Sequence, residues 1–468
     1  MAVLTTAVPI PHDGLHGNAR HRAMFALALG VLLSTLDYSV ANVALPTIGH
    51  AVHASAADSI WVINAYQLAS LIGLLPLASL AELKGQDRMC RIGLVIFIFS
   101  SACCAASQTL PELAMSRVLQ GIGGACIMSV NASLVRFIYP GSLLGRGMSL
   151  NGLVVALGVA AGPTIAAGVL SVASWRWIFL INLPLGLAAL IFATTSLPVM
   201  PRASNGRRFD WISATLTALA FGPLVVGLDR LAHHGSPGLS IFLIAAGAVC
   251  LAWLVRRQLD IPAPLLPVDL LRLLSFRTAF LVGFMGFIAS NFFIIAMPFF
   301  FELQLHRSAV QTGLLITPWP LAIVAVSPLV ARVADRYPAS LLSSIGLCIT
   351  ATGFALLWRM PAHPTNFDII WRIALAGSGF GLFQPPNNRA ILTSAPVHRS
   401  AGASGMVSVA RLLGQTIGAM LVALVFELLP LDSERHCMAF GALVALVASL
   451  ISVGRMWQRG AGHISAVR

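Results

Sequence analysis

Residues 23–46 read AMFALALGVLLSTLDYSVANVALP, an apolar run interrupted by one carboxylate, Asp37. About 20 apolar residues in helical form cross a hydrocarbon core at ~1.5 Å per residue, so the run reads as a membrane span. Asp37 stands some fourteen residues into it, about 20 Å along the axis. A carboxylate at that depth is costly and persists where it faces a cavity or a partner. No basic residue lies within one helical turn of it. Its compensating charge must come from another helix, with Arg117 the first candidate.

The rest of the chain repeats this character. Of 468 residues, 57% are hydrophobic and 10% charged, against about 25% charged in soluble domains. The mean hydropathy is +0.86. Apolar runs bounded by turn signals predict fourteen spans: 23–47, 58–80, 91–108, 111–138, 145–170, 177–197, 210–228, 238–256, 276–303, 310–333, 340–358, 368–394, 401–427 and 437–455. A soluble enzyme, a disordered chain and a nucleic-acid-binding domain are excluded. The longest loop, about twenty residues from Arg256 to Ser275, is too short for a soluble catalytic or sensory module.

The pI of 10.6 is a topology signal. With the N-terminus placed in the cytoplasm, 20 of the 29 Lys and Arg residues fall on the cytoplasmic side. Five face the other way: Arg176, Arg230, Arg307, Arg359 and Arg435. The remaining four, Arg117, Arg372, Arg389 and Arg411, fall within spans. A four-to-one bias over short loops follows the positive-inside rule. Both termini are therefore expected in the cytoplasm of a cell whose inner membrane holds the chain. The polar segment before Ala23 lacks the form of a cleaved signal. The seven cysteines show no CxxC or Cys/His spacing, which predicts packing roles and no metal site.

The chain also carries a duplication. The turn around Glu82, Gly85 and Arg88 is echoed around Asp335 and Arg336. Arg117 with Gly121 and Gly123 is echoed by Arg372 with Gly377 and Gly379. Leu157-Gly158 with Gly162 is echoed by Leu413-Gly414 with Gly418. The offsets, 253 to 256 residues, keep the same order. An all-α integral membrane fold of two six-helix bundles, 23–197 and 276–457, is expected. Two additional central helices lie between them in a linker at 198–275, with tails at 1–22 and 458–468. In such a fold substrate binds at the midplane between halves that rock.

Three segments carry the chemistry. Asp37 can exchange a proton as a cavity opens or accept a cationic substrate. Arg117-Val118-Leu119-Gln120-Gly121-Ile122-Gly123-Gly124-Ala125 joins a permanent cation to glycines that let helices approach closely. Gly158 to Gly168 contains Pro163, which removes a backbone donor and kinks its span; Gly158 and Gly162 permit close contact.

Together these segments resemble the drug:proton antiporters of the major facilitator superfamily, in the fourteen-helix EmrB/QacA-type branch. Leu36 to Pro46 looks like its helix-1 motif, and Trp61-Val62-Ile63-Asn64-Ala65-Tyr66 like the start of its helix 2. Arg117 to Ala125 is similar to its RxxQGxGGA motif, to which proton transfer is assigned. Gly158 to Gly168 resembles its antiporter motif, and Trp175 to Pro184 its helix-6 signature. Glu82, Gly85, Arg88, Asp335 and Arg336 stand in its cytoplasmic gate motif, with Glu82 in place of aspartate.

The resemblance implies proton-coupled export of hydrophobic, cationic drugs or toxic compounds by alternating access, powered by the proton gradient and without a cofactor. Asp37 and Arg117 are the expected coupling pair. Tyr66, Asn291, Glu302, Trp319 and Arg411 are candidate cavity residues, with Glu427 a further carboxylate near an outer helix end. Export of a metabolite or organic anion is the alternative, because Arg411 also lies deep in its span. A membrane-embedded enzyme would need a reactive cluster, and His233-His234 lack an HExxH-type partner. The expected partners are the substrate, protons and the lipid bilayer. A monomer is expected, and the sequence leaves an adaptor protein undecided.

Overall fold

Prolines and polar caps decide where these apolar runs bend and stop. The computed structural model describes residues 14–200, 209–232, 236–259, 261, 264–334, 336–396 and 399–465. The first half contains α1 (Gly17–Val43), α2 (Leu45–Ala51), α3 (Ala56–Ser59), α4 (Trp61–Lys84), α5 (Gln86–Ala106), α6 (Leu110–Ile138), α7 (Leu144–Val172), α8 (Arg176–Leu180) and α9 (Asn182–Ser196). Next come α10 (Trp211–Ala232) and α11 (Pro237–Leu259). The second half contains α12 (Leu274–Phe299), α13 (Ala309–Ile316), α14 (Pro318–Val333), α15 (Ala339–Trp358), α16 (Asn366–Ser394), α17 (Ser400–Leu428) and α18 (Ser433–Ser465). No strand occurs among the described residues.

Four expected spans are broken, among them 58–80, which divides at Ile60. The run 23–47 divides at Ala44, with Pro46 in the first turn of α2, where a missing N–H costs nothing. The run 310–333 divides at Thr317 ahead of Pro318, and the run 177–197 divides at Ile181. Other starts carry side-chain caps: Thr109 accepts from the Glu112 amide and Thr365 from the Asp368 amide. Ser308 and Gln311 form a capping box, which satisfies orphan amides of the first turn. Gly85, between α4 and α5, has φ +102°, a conformation that requires glycine.

Among the described residues, thirteen helices or helix pairs are long and apolar enough to cross a membrane. The remaining expected span, 368–394, coincides with α16, whose 29 residues include Gln384, Asn387, Asn388 and Arg389. These polar groups lower its hydropathy below that of the others, although its length of ~43 Å is ample.

The duplication is visible in the packing. A Cβ at Gly158 or Gly162 of α7 would strike Thr35 or Ser39 of α1. A Cβ at Gly414 or Gly418 of α17 would strike Phe284 and Phe287, or Ile288 and Asn291, of α12. Likewise α5 and α6 meet backbone to backbone at Gly93 and Gly123, as α15 and α16 do at Gly346 and Gly379. The helices inserted between the halves pack on each other, and α10 also lies against α4 and α17. At their end Asp210 accepts from Ser213 Oγ at 2.6 Å and Arg257 Nη2 at 3.2 Å. Partial burial pushes the Asp210 carboxyl up, but those bonds outweigh it and leave the group below the usual carboxylate range.

The two halves close on each other at the end remote from the arginine-rich loops. There Thr47 donates to Glu302 at 3.3 Å and Thr164 bonds Thr317 at 3.2 Å. A Cβ on Gly313 of α13 would lie 2.5 Å from the Pro163 carbonyl oxygen and 2.8 Å from the Ala167 Cβ. Because the obstacle includes backbone, Gly313→Val is expected to loosen this seal. The check is a cysteine at Ala166, fully buried here, on a background lacking the native cysteines. It should become reactive to an impermeant thiol reagent in the valine variant, whereas unchanged protection would place the seal elsewhere.

Candidate functional site

Helices α1, α4, α5, α6, α8 and α9 of the first half meet around Asp37 and Arg117. The Asp37 side chain, like that of Arg117, is fully buried. Arg117 Nη1 donates to Asp37 Oδ2 at 2.5 Å. Gln120 Nε2 and Asn182 Nδ2 donate to Asp37 Oδ1 at 2.9 and 2.7 Å. Arg117 Nε reaches the Val62 carbonyl at 2.9 Å, and Nη1 also meets Gln120 Oε1 at 2.6 Å. Gln120 Nε2 further donates to Ser101 Oγ at 2.9 Å. The guanidinium lies 4.5 Å from the ring centre of Tyr66 and 5.7 Å from that of Phe179. A buried pair offsets its desolvation only when its remaining polar atoms are also bonded. Here most are. Arg117 Nη2 and Asn182 Oδ1 have no hydrogen-bond partner among the described residues.

Local chain geometry explains the convergence. Arg117 and Gln120 lie three residues apart on α6 and so share one face. Gly121 and Gly124 bring that face against α4, since a Cβ at either would strike Tyr66. The break at Ile181 starts α9 at Asn182, which turns that amide inward to Asp37.

Beside this cluster, between the halves, lies a cavity of about 470 Å³. Its lining runs from Tyr38, Tyr66, Gln67 and Trp319 near mid-depth to Leu74, Met128, Gly152, Ser327 and Asn388. Those last residues occupy the portions of their helices nearest the arginine-rich loops, so the cavity extends toward that end. Its volume suits a small organic molecule. One wall is aromatic: Trp319 stacks on Phe293 at 4.6 Å and lies 5.5 Å from Phe380, which itself meets Phe287 at 5.7 Å. Among the described residues, Arg411 is the one charged lining side chain. It makes no hydrogen bond or ion pair to a described residue. Tyr38 and Tyr66 are its polar neighbours.

The expected site residues divide accordingly. Asp37 and Arg117 meet. Tyr66, Trp319 and Arg411 line the cavity. Asn291 does not: it is buried, accepting from Tyr38 Oη at 3.2 Å and donating to the Gln415 carbonyl. Glu302 is also absent from the lining, standing in a π-turn at the closed end beside Thr47. Glu427 is half-buried near the same end of α17. Gly158, Gly162 and Pro163 hold α7 against α1 and α13.

Of the expected gate residues, Glu82, Arg88 and Arg336 are exposed, and Asp335 lies outside the described residues, as do His233 and His234. The buried acid at that turn is Asp87, which accepts from Arg91 at 2.6 Å and from the Met200 amide at 3.2 Å. Arg117, not Arg411, holds the Asp37 carboxylate. Sequence reasoning missed Gln120, Asn182, Ser101 and Gln67. Gln120 and Asn182 lay inside quoted motifs, and an amide in an apolar span was the available signal.

No group of three or more His, Cys, Asp or Glu residues suited to a metal occurs among the described residues.

Comparison with known proteins agrees with this geometry. The model of the Major Facilitator Superfamily matches residues 27–419 and 279–461. Uncharacterized transporter YebQ of Escherichia coli (strain K12) is 46% identical over 450 residues, spanning 95% of this chain and 98% of that protein. Multidrug resistance protein Stp of Mycobacterium tuberculosis (strain ATCC 25618 / H37Rv) is 28% identical over 400 residues, spanning 84% and 74%. Among solved structures, a POT family transporter in complex with 5-aminolevulinic acid shares the fold, with a TM-score of 0.72 at 16% identity over 95% of this chain and 97% of that one. The chain is a multi-pass membrane transporter, not an enzyme, and belongs to the Major Facilitator Superfamily.

Proposed function

We propose that this transporter exports hydrophobic drugs or toxic compounds in exchange for protons, by alternating access. One observation carries the reading: the buried Asp37–Arg117 pair is separated from a drug-sized cavity by the ring of Tyr66, which stacks on the guanidinium and lines the cavity. Protonating Asp37 removes half of the ion pair and weakens the attachment of α1 to α6 and α9. Substrate pressing on Tyr66 acts on the same guanidinium from the cavity side. Proton and substrate thus compete through one arginine, which is the requirement for exchange. The name of Stp, a multidrug resistance protein, supports the drug-export reading.

The cationic preference expected from Asp37 loses its basis. The carboxylate is neutralised by Arg117 and lines no part of the cavity. With the termini in the cytoplasm, as the loop charges favour, the cavity opens toward the cytoplasm and loads substrate there. A cysteine at Gly145, in the arginine-rich end, should resist an impermeant reagent added to intact cells, while one at His53 should react. Labelling of position 145 from outside would overturn that orientation.

The test of exchange is proton movement in inverted membrane vesicles. Once respiration has acidified the lumen, adding a transported compound should release protons outward, and vesicles without the protein should not respond. Export that proceeds unchanged after the proton gradient is collapsed would sink the antiport reading.

A further inference from the structure

The strongest unexplained feature of the cavity is its charge. Arg411 sits twelve residues into α17 and lines the cavity without an acidic partner among the described residues. A guanidinium cannot shed its proton, so its charge is a permanent property of this chamber. Gln67 lines the same cavity; its buried side-chain amide approaches Tyr38 and makes no well-aligned hydrogen bond to a described residue. Buried polar groups are ordinarily bonded, so a guanidinium and an amide that line one cavity can both donate to an acceptor placed in it. Tyr38 and Tyr66 border the guanidinium. The aromatic group of Trp319, Phe380 and Phe287 lines the same cavity, with Phe287 packed against Gly414 three residues along α17 from Arg411.

We propose that Arg411 and Gln67 form an anion subsite, and that the exported compounds are amphipathic monoanions, a carboxylate or sulfonate on an aromatic body. The acid group takes the guanidinium in a charge-assisted, two-pronged contact and accepts from the Gln67 amide. The aromatic body lies against Trp319 and Phe380. The assignment rests on the exporter reading above and names the substrate class of that site. It also sets the electrical character of exchange. A monoanion leaving while one proton enters moves twice the charge that export of a neutral molecule would move.

Three probes that share one ring system separate the possibilities: 2-naphthoate, 2-naphthylmethylammonium and 2-naphthalenemethanol. Their equilibrium binding to the purified, full-length protein is read by tryptophan fluorescence without any gradient. Naphthoate should bind about 10- to 100-fold more tightly than the neutral alcohol, the range expected of a hydrogen bond to a charged group. The ammonium probe should bind more weakly than either. Arg411→Gln should erase the naphthoate advantage while keeping the alcohol's affinity, and Arg411→Lys should retain part of the advantage.

Equal binding of the three probes, tighter binding of the ammonium, or no binding of naphthoate to the unaltered protein overturns the proposal, even if the glutamine variant fails to fold. An advantage that persists in Arg411→Gln overturns it as well. Failure of the exporter reading looks different: naphthoate selectivity intact at equilibrium, with no proton-driven movement of naphthoate in proteoliposomes.

Discussion

Asp37→Asn should reduce proton-driven efflux to the level of vesicles that lack the protein, while exchange of substrate down its own gradient survives. Asparagine keeps the size of the side chain and one acceptor oxygen for Arg117 Nη1 or Gln120 Nε2. It cannot take up or release the proton. Efflux and counterflow of the same labelled substrate, compared in one set of proteoliposomes, separate the two steps. Loss of both would mean that Asp37 holds the fold or the substrate. Retention of full proton-driven efflux would make it a structural acid.

Arg117→Gln should be the most destabilising single change in the first half. It leaves a carboxylate fully buried with only the Gln120 and Asn182 amides beside it. Removing one member of a buried pair costs about 3–5 kcal/mol, a large share of the stability of a typical domain. The double variant, Asp37→Asn with Arg117→Gln, should recover most of that loss because no bare charge remains, yet it should stay inactive in proton-driven efflux. Melting temperatures of the four proteins form a double-mutant cycle. Additive losses would mean that the two side chains are not energetically linked.

Much of this fold was legible because apolar length and arginine placement are coarse signals that survive errors in helix boundaries. The repeat could be read because two of its three paired segments are glycine spacings, which report close helix contacts, and the third is an acidic turn. Pairing of Asp37 with Arg117 followed from scarcity: a deep carboxylate without a local cation needs one from another helix. What escaped was three-dimensional. Asn182 reaches Asp37 through a break at Ile181; Pro184 in the first turn of α9 marks the break but not the direction in which the amide turns. Asn291 and Glu302 sit on the expected helix, but one is consumed by Tyr38 and Gln415 and the other closes the far end with Thr47. Linear depth cannot tell a wall of the cavity from the contact behind it. Likewise, Asp37 suggested a cationic substrate only if it faced the cavity, and it lines no part of it.

Whether Asp37 itself carries the proton is most directly tested by infrared difference spectroscopy of the purified protein as pH is lowered. The expected result is a carbonyl stretch of a newly protonated carboxylic acid, diminished when substrate is present and absent in Asp37→Asn. The same stretch undiminished in Asp37→Asn would contradict the central claim, because the transported proton would then belong to another group.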